Sequence, residues 1–434
     1  MPVSVAIIGS GPAGFYTAEA LVNSVVDLSI DFIERLPTPF GLIRGGVAPD
    51  HQTTKNVAKK YEKTALMNQV RYYGNVDVGR DVSLAELRGI YDAVVLAIGA
   101  PRDRKMNIPG EDKAGIFGSA DFVGWYNGHP DFRDLDPDLN LSAAAVIGVG
   151  NVAIDVARLL VRTRNELARG DIPDYAEKAI LDSPIDDVYI FGRRGPVEAK
   201  FTNVELREMG KLEQSVPQVK AEVLPDGVGD LEDREKRLKE RNLATLREFA
   251  GRQPDELPKR VHFEFYASPA EILGGDRVEG LRLERTRIED GRAVGTGEFF
   301  DIECGLVVAA IGYRSDPLEG APFDEKKGIV PNDDGRVDDG LYAVGWIKRG
   351  PTGVISTNRP DGVAVAGHII DDCCEGGKAG REAFEKILKE RNVRFVSYDD
   401  WKKIEAAEIE NAKGEHPRKK FVTVKEMLDV LDRP

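Results

Sequence analysis

The chain is 434 residues long and carries 74 acidic against 60 basic residues, a formal net charge of −14 at pH 7. That length allows about two or three domains, the acidic balance argues against nucleic acid as a partner, and no run of about 18 apolar residues exists to cross a bilayer. Its three cysteines, Cys304, Cys373 and Cys374, include no C-x-x-C, and its five histidines include no H-x-x-x-H or H-E-x-x-H, which removes disulfide-exchange, iron–sulfur and zinc chemistry from consideration and predicts no metal site.

The first element is Val3 to Gly14, VSVAIIGSGPAG. A nearly unbroken apolar run predicts a strand buried on both faces. Gly9 permits the tight turn, Gly11 lets backbone amides approach a pyrophosphate, and Gly14 allows the next helix to lie close to the strand. Phe15, Ala18, Leu21, Val22 and Val25 share one face of that helix, whose N-terminus offers unpaired N–H groups to phosphates. A second buried strand, Leu28 to Ile33, ends at Glu34. A carboxylate there accepts both ribose hydroxyls and repels an extra 2′-phosphate, so this site is expected to take FAD or NAD. The strand starts at Val3, which leaves little room for a leader ahead of it and predicts a cytoplasmic protein.

The fingerprint returns at Ala143 to Asp155, AAAVIGVGNVAID. Gly148 and Gly150 repeat the turn and close-approach roles, and Ala153 stands in the packing position. The next strand, Asp187 to Phe191, ends in Gly192, Arg193 and Arg194 instead of an acid. Two guanidiniums suit a 2′-phosphate, so the second site is expected to take NADP(H).

Tyr91 to Gly99 (YDAVVLAIG) and Cys304 to Gly312 (CGLVVAAIG) are matched apolar strands bracketing the second fingerprint. They predict an insertion: an α/β fold of two Rossmann-like dinucleotide-binding domains, with residues 103–313 forming the NADP domain set within an FAD domain of residues 1–102 and 314–434, the last part carrying a C-terminal extension. Residues 230–252 predict a charged helix with Leu231, Leu238, Leu243, Leu246 and Phe249 as its apolar positions and the rest as a solvated face. After Ser397 a helix, a charged loop and a short helix from Val424 are expected. Cys304 reads as a small core hydrophobe, and the vicinal Cys373 and Cys374 as structural or incidental.

Three stretches, Arg35 to His51 (RLPTPFGLIRGGVAPDH), Phe191 to Met209 (FGRRGPVEAKFTNVELREM) and Gly345 to Pro360 (GWIKRGPTGVISTNRP), resemble the signature segments of adrenodoxin reductase and the bacterial NADPH-ferredoxin reductases. The resemblance implies an oxidoreductase, a flavoprotein that takes hydride from NADPH and passes single electrons to ferredoxin, a small acidic iron–sulfur protein. It implies FAD contacts at Gly9, Ala13, Glu34, Leu42, Val78, Trp346, Gly353, Val354 and Ile355, and NADP contacts at Gly150, Asn151, Val152, Arg193, Arg194, Glu205 and Gly353. It also places His51 and Glu205 in the cleft near the nicotinamide as an expected charge pair, the alternative for His51 being a loop histidine that caps the helix from Thr53. Asp155, one helical turn beyond Asn151, is expected to join them, and these three form the expected catalytic set. Trp346 stands where many flavoenzymes with two nucleotides carry an Asp after Gly. Lys200, Arg207 and Lys211 offer a basic rim to an acidic acceptor. The alternative is an electron-input flavoprotein of a larger complex, as in glutamate-synthase-like proteins; the lack of cluster-binding cysteines counts against it.

Overall fold

The computed structural model describes residues 2–24, 26–373 and 376–433, so Val25 and Cys374 lie outside the described residues. The chain divides into two compact units. One comprises residues 1–102, 127–133 and 313–434, and the other residues 103–126 and 134–312.

The first unit is built on a six-stranded sheet in the order Arg336–Asp338, Leu341–Ala343, Ala93–Leu96, Val3–Ile8, Leu28–Glu34, Val70–Gly74. All pairings are parallel except the one between the first two. Val3, Val5 and Ile7 enter one apolar cluster while Ala6 and Ile8 enter another, because alternate side chains leave opposite faces of a strand. Both faces are covered, so the strand reads as a continuous apolar run rather than an alternating one. Each wholly buried Val or Ile stabilises this arrangement by roughly 1.5–3 kcal/mol.

Helix Pro12–Val22 buries Phe15, which stacks on Tyr61 with ring centroids 4.9 Å apart. Its other neighbour is helix Asn358–Asp372. A Cβ on Gly362 would lie 2.7 Å from Thr17 N, so only glycine lets the two backbones pack this closely. The C-terminal helices Tyr398–Glu410 and Val424–Leu431 begin with Ser397 and Thr423 capping boxes, as their S/T-x-x-D/E pattern dictates. Glu408 is fully buried and pairs with Arg44 and Arg418, and it accepts the Phe421 N–H at 2.9 Å. Lys420, also buried, donates to the carbonyls of Arg44 and Asn127. Residues 127–133 thus return to the first unit, a passage that local sequence pattern does not signal.

The second unit has its own six-stranded parallel sheet, ordered Ile116–Gly118, Leu306–Ala309, Ala143–Ile147, Asp187–Gly192, Lys259–Phe265, Ser215–Val219. A three-stranded antiparallel sheet, Ala267–Leu273, Gly280–Glu289 and Arg292–Glu303, is added to it in sequence. Tyr91–Gly99 and Cys304–Gly312 are therefore counterparts, one in each unit, each beside a glycine-loop strand. Cys304 is buried, which pushes its thiol up to about 12. The charged helix spans Asp233–Ala250 and buries Leu243, Leu246 and Phe249. Leu238, expected on that apolar face, is exposed, since only the C-terminal half of the helix packs.

At the head of the second unit, the Asp103 carboxylate accepts the Ala120 N–H at 2.7 Å and the Ser119 hydroxyl at 3.2 Å, capping helix Ser119–Asn127. Burial, with Asp121 nearby, pushes its pKa up to about 6 against the pull of those donors.

Candidate functional site

The first glycine loop follows from three different demands on three glycines. Gly9 has φ +100°, and a Cβ there would stand 2.6 Å from the Ala97 carbonyl oxygen; a Cβ on Gly14 would stand 2.5 Å from the Gly9 oxygen. Gly11 differs: a Cβ would meet nothing within 4 Å. It is the N-cap of helix Pro12–Val22 and makes no side-chain capping bond, so the helix presents backbone N–H groups and its positive end to open space. That arrangement fits a pyrophosphate.

Glu34 ends the neighbouring strand. Its Oε2 accepts from Ser10 N at 2.9 Å and Ser10 Oγ at 2.8 Å, and its Oε1 accepts from Leu36 N at 3.2 Å. The carboxylate is fixed against the glycine loop. A Cβ on Gly41, next to the exposed Leu42, would lie 3.0 Å from Gly11 Cα, and one on Gly345, next to Trp346, would lie 2.6 Å from Ala13 Cβ. The turns carrying Leu42 and Trp346 therefore close on the same loop. Val78 sits beyond strand Val70–Gly74, bridged to Val82. Gly353 has φ +85° and precedes the exposed Val354; Ile355 opens a 3₁₀ turn that runs into helix Asn358–Asp372. These residues gather at the carboxyl ends of the parallel strands, where open α/β sheets bind ligands.

Trp346 is half-buried. Its indole N–H donates to the Thr352 carbonyl at 3.2 Å and its ring lies 5.7 Å from Tyr313. A carboxylate reaches this turn from another element: Asp361 accepts the Gly345 N–H at 2.6 Å and pairs with Lys348 at 2.8 Å and with Arg349 at 2.5 Å. Sequence reasoning missed Asp361, because an acid in the first turn of a helix has an ordinary dipole role. His51 precedes the short helix Gln52–Lys55 and its imidazole makes no capping bond to it.

The second loop repeats the frame. Gly148 has φ +132° and a Cβ there would lie 2.2 Å from the Ala310 oxygen, while a Cβ on Gly150 would meet nothing within 4 Å. Gly150 likewise caps helix Asn151–Leu160 without a side-chain bond. The segment after strand Asp187–Gly192 folds back onto this loop: Lys200 N donates to the Val149 carbonyl at 2.8 Å and Thr202 N to Asn151 Oδ1 at 2.8 Å. Val152 follows Asn151 in the first turn, half-buried. Arg193 and Arg194 are held by their backbones, since their carbonyls accept from Thr286 Oγ1 at 2.8 Å and Tyr266 N at 3.2 Å. Among the described residues neither guanidinium has a hydrogen-bond or ion-pair partner. Two cations on an anchored backbone, with no partner among the described residues, fit a 2′-phosphate.

Glu205 lies in the first turn of helix Asn203–Met209, capped by Thr202. Asp155 pairs with the wholly buried Arg158 at 2.7 Å, which also pairs with Glu208 at 2.7 Å. Lys200, Arg207 and Lys211 are all exposed. His51 and Val78 belong to the first unit, Glu205 and Asp155 to the second.

Residues 3–192 match the family model described as pyridine nucleotide-disulphide oxidoreductase. The chain is 42% identical to NADPH:adrenodoxin oxidoreductase, mitochondrial, of Arabidopsis thaliana, over 98% of this chain and 95% of the relative. It is 41% identical to NADPH-ferredoxin reductase FprA of Mycobacterium tuberculosis, over 99% of each. The solved structure of Mycobacterium tuberculosis FprA in complex with NADPH superposes with a TM-score of 0.94 at 40% identity, covering 99% of both chains.

Proposed function

Because the chain belongs to the family of NADPH:adrenodoxin oxidoreductases and NADPH-ferredoxin reductases, we propose that its two glycine loops are the FAD and NADP(H) sites of a ferredoxin-NADP reductase. It is an oxidoreductase that uses FAD and NADP(H) and passes electrons to ferredoxin-type partners. The observation that carries the site assignment is the opposite charge at two otherwise matched strand ends, Glu34 in one unit and Arg193 with Arg194 in the other.

Bound flavin supplies the chemistry, accepting a hydride from the nicotinamide and releasing electrons singly. The chain's own residues bind and orient. The helix N-termini after Gly11 and Gly150 take the pyrophosphates, Glu34 takes the adenosine ribose of FAD, and Leu42 and Val78 supply apolar neighbours. Ala13, Trp346, Gly353, Val354 and Ile355 complete the flavin set. Arg193 and Arg194 take the 2′-phosphate, with Asn151, Val152, Glu205 and Gly353 as the remaining NADP contacts. His51 and Asp155 keep their assignment, with Glu205, as charge-ordering residues. Residues 1–102 and 314–434 are assigned as the FAD domain, and residues 103–313 as the NADP domain.

The acceptor in this reading is a small acidic iron–sulfur protein, for which exposed Lys200, Arg207 and Lys211 offer complementary charge. No helix among the described residues is long and apolar enough to cross a membrane; in this reading the protein works in the cytoplasm beside a diffusible acceptor. The test is stopped-flow spectroscopy of the purified chain with NADPH and then with oxidised ferredoxin. Bleaching of a flavin band by NADPH, followed by its return on ferredoxin addition, is the expected result; a colourless protein that cannot be reconstituted with FAD rejects it.

A further inference from the structure

Helix Asp233–Ala250 has a first half in which every residue from 232 to 240 is exposed except Lys239. Lys239 turns inward, and its ammonium donates to the Ala199 carbonyl at 2.6 Å. Three further bonds stitch the same helix to the same region: Asn242 Nδ2 donates to the Phe201 carbonyl at 3.0 Å, and Asn203 Nδ2 donates to the Arg241 carbonyl at 3.1 Å and to Thr245 Oγ1 at 3.0 Å. Residues 195–202 are the return from Arg193 and Arg194 to the second glycine loop. The helix is thus the brace behind that return, and among these bonds Lys239 is the one that uses a charged side chain.

We propose that Lys239 is a specificity-determining residue for the 2′-phosphate: it straps the Arg193–Thr202 return through the Ala199 carbonyl and adds a third positive charge behind Arg194. The inference deepens the NADP(H) assignment and rests on it. A neutral donor of similar length would keep the strap and lose the charge, which separates the two contributions.

The electrostatics agree. Burial pulls the Lys239 ammonium below the ordinary lysine range, and the neighbouring cations Arg194 and Lys200 pull it the same way, while Glu235 and Glu198 oppose them. An incoming 2′-phosphate dianion is attracted by the Lys239 ammonium as well as by Arg194, and a nucleotide without that phosphate is not. The 2′-phosphate is then read by the strapped Lys239 charge as well as by the two arginine forks.

The test compares binding of 2′,5′-ADP and of ADP, which lacks the 2′-phosphate, to the full-length holoenzyme by titration calorimetry. Lys239→Gln is expected to weaken 2′,5′-ADP about 10-fold, leave ADP unchanged, and be rescued by Lys239→Arg. Glu235→Gln, on the exposed side of the helix, removes an opposing charge without touching the strap and is expected to tighten 2′,5′-ADP about 2-fold. An unchanged ratio of the two ligands in Lys239→Gln, or an equal loss for both, overturns the role of Lys239. The double variant Arg193→Ala with Arg194→Ala is run beside it. If the arginine variant loses 2′,5′-ADP selectively and Lys239→Gln does not, only the present inference falls; if the arginine variant keeps the ratio, the NADP(H) site assignment itself is overturned.

Discussion

The two glycine loops share a skeleton and differ in what they leave unsatisfied. In each, one glycine is forced by a carbonyl of the adjacent strand, Ala97 for Gly9 and Ala310 for Gly148, and a second faces open space before an uncapped helix. The strand ends part company. The Glu34 carboxylate is already bonded to Ser10 and Leu36, whereas the side chains of Arg193 and Arg194 have no partner among the described residues. The backbone therefore supplies a generic phosphate seat, and the strand-end side chains decide which nucleotide sits there. The first loop is tight at its packing glycine too, with Gly14 against Gly9; the second admits Ala153 at that position.

Substitutions at these positions break or sharpen that contrast, from the largest effect to the smallest. Gly148→Ala and Gly9→Ala each force a Cβ onto a carbonyl at a left-handed backbone and are expected to cost about 3 kcal/mol or more, read as a lower melting midpoint; Gly11→Ala and Gly150→Ala leave the midpoint within about 1 kcal/mol and weaken only their own nucleotide. Removing both guanidiniums, Arg193→Ala with Arg194→Ala, is expected to cut the NADPH-over-NADH preference in kcat/KM about 150-fold, at roughly 1.5 kcal/mol for each charge-assisted bond. Glu34→Gln is expected to weaken FAD about 10-fold, from one charged hydrogen bond, measured by flavin release, with the NADPH preference untouched; a change in that preference would dissolve the division of labour.

The smallest effect is pH-dependent and confined to the second unit. The Asp103 pKa is raised to about 6 from 3.8, so protonation favours the folded form: its contribution is full at low pH and is lost as pH rises through about 6. Asp103→Asn, which can still accept the Ala120 N–H, is expected to remove about 1 kcal/mol of the stability gained between pH 7.5 and 5. Amide exchange at Ala120 across that range reads it directly.

Both loops were legible because each sets strand, turn, helix and a later strand-end residue in a recurring pattern whose first glycine has no substitute. The same is true of the tail helices, whose capping boxes are written in four residues each. Asp361, Lys239 and residues 127–133 were not, and for one reason. Their roles come from partners far along the chain, Gly345, Ala199 and Lys420, and an acid or lysine on a charged helix looks the same whether it faces water or a carbonyl. Leu238 fails in the opposite sense: helical spacing marks it as apolar-faced, but no part of the unit covers that half of the helix.

The enclosed Glu408 carries a consequence for biosynthesis. Its carboxylate holds Arg44, 364 positions earlier, on the turn that brings Leu42 to the first loop, so the amino-terminal nucleotide seat is finished only by side chains synthesised long after it. Cofactor capture then waits for that segment, and nascent chains arrested before Glu408 are expected to emerge pale, with the coloured species appearing only once Glu408 and Lys420 have left the ribosome.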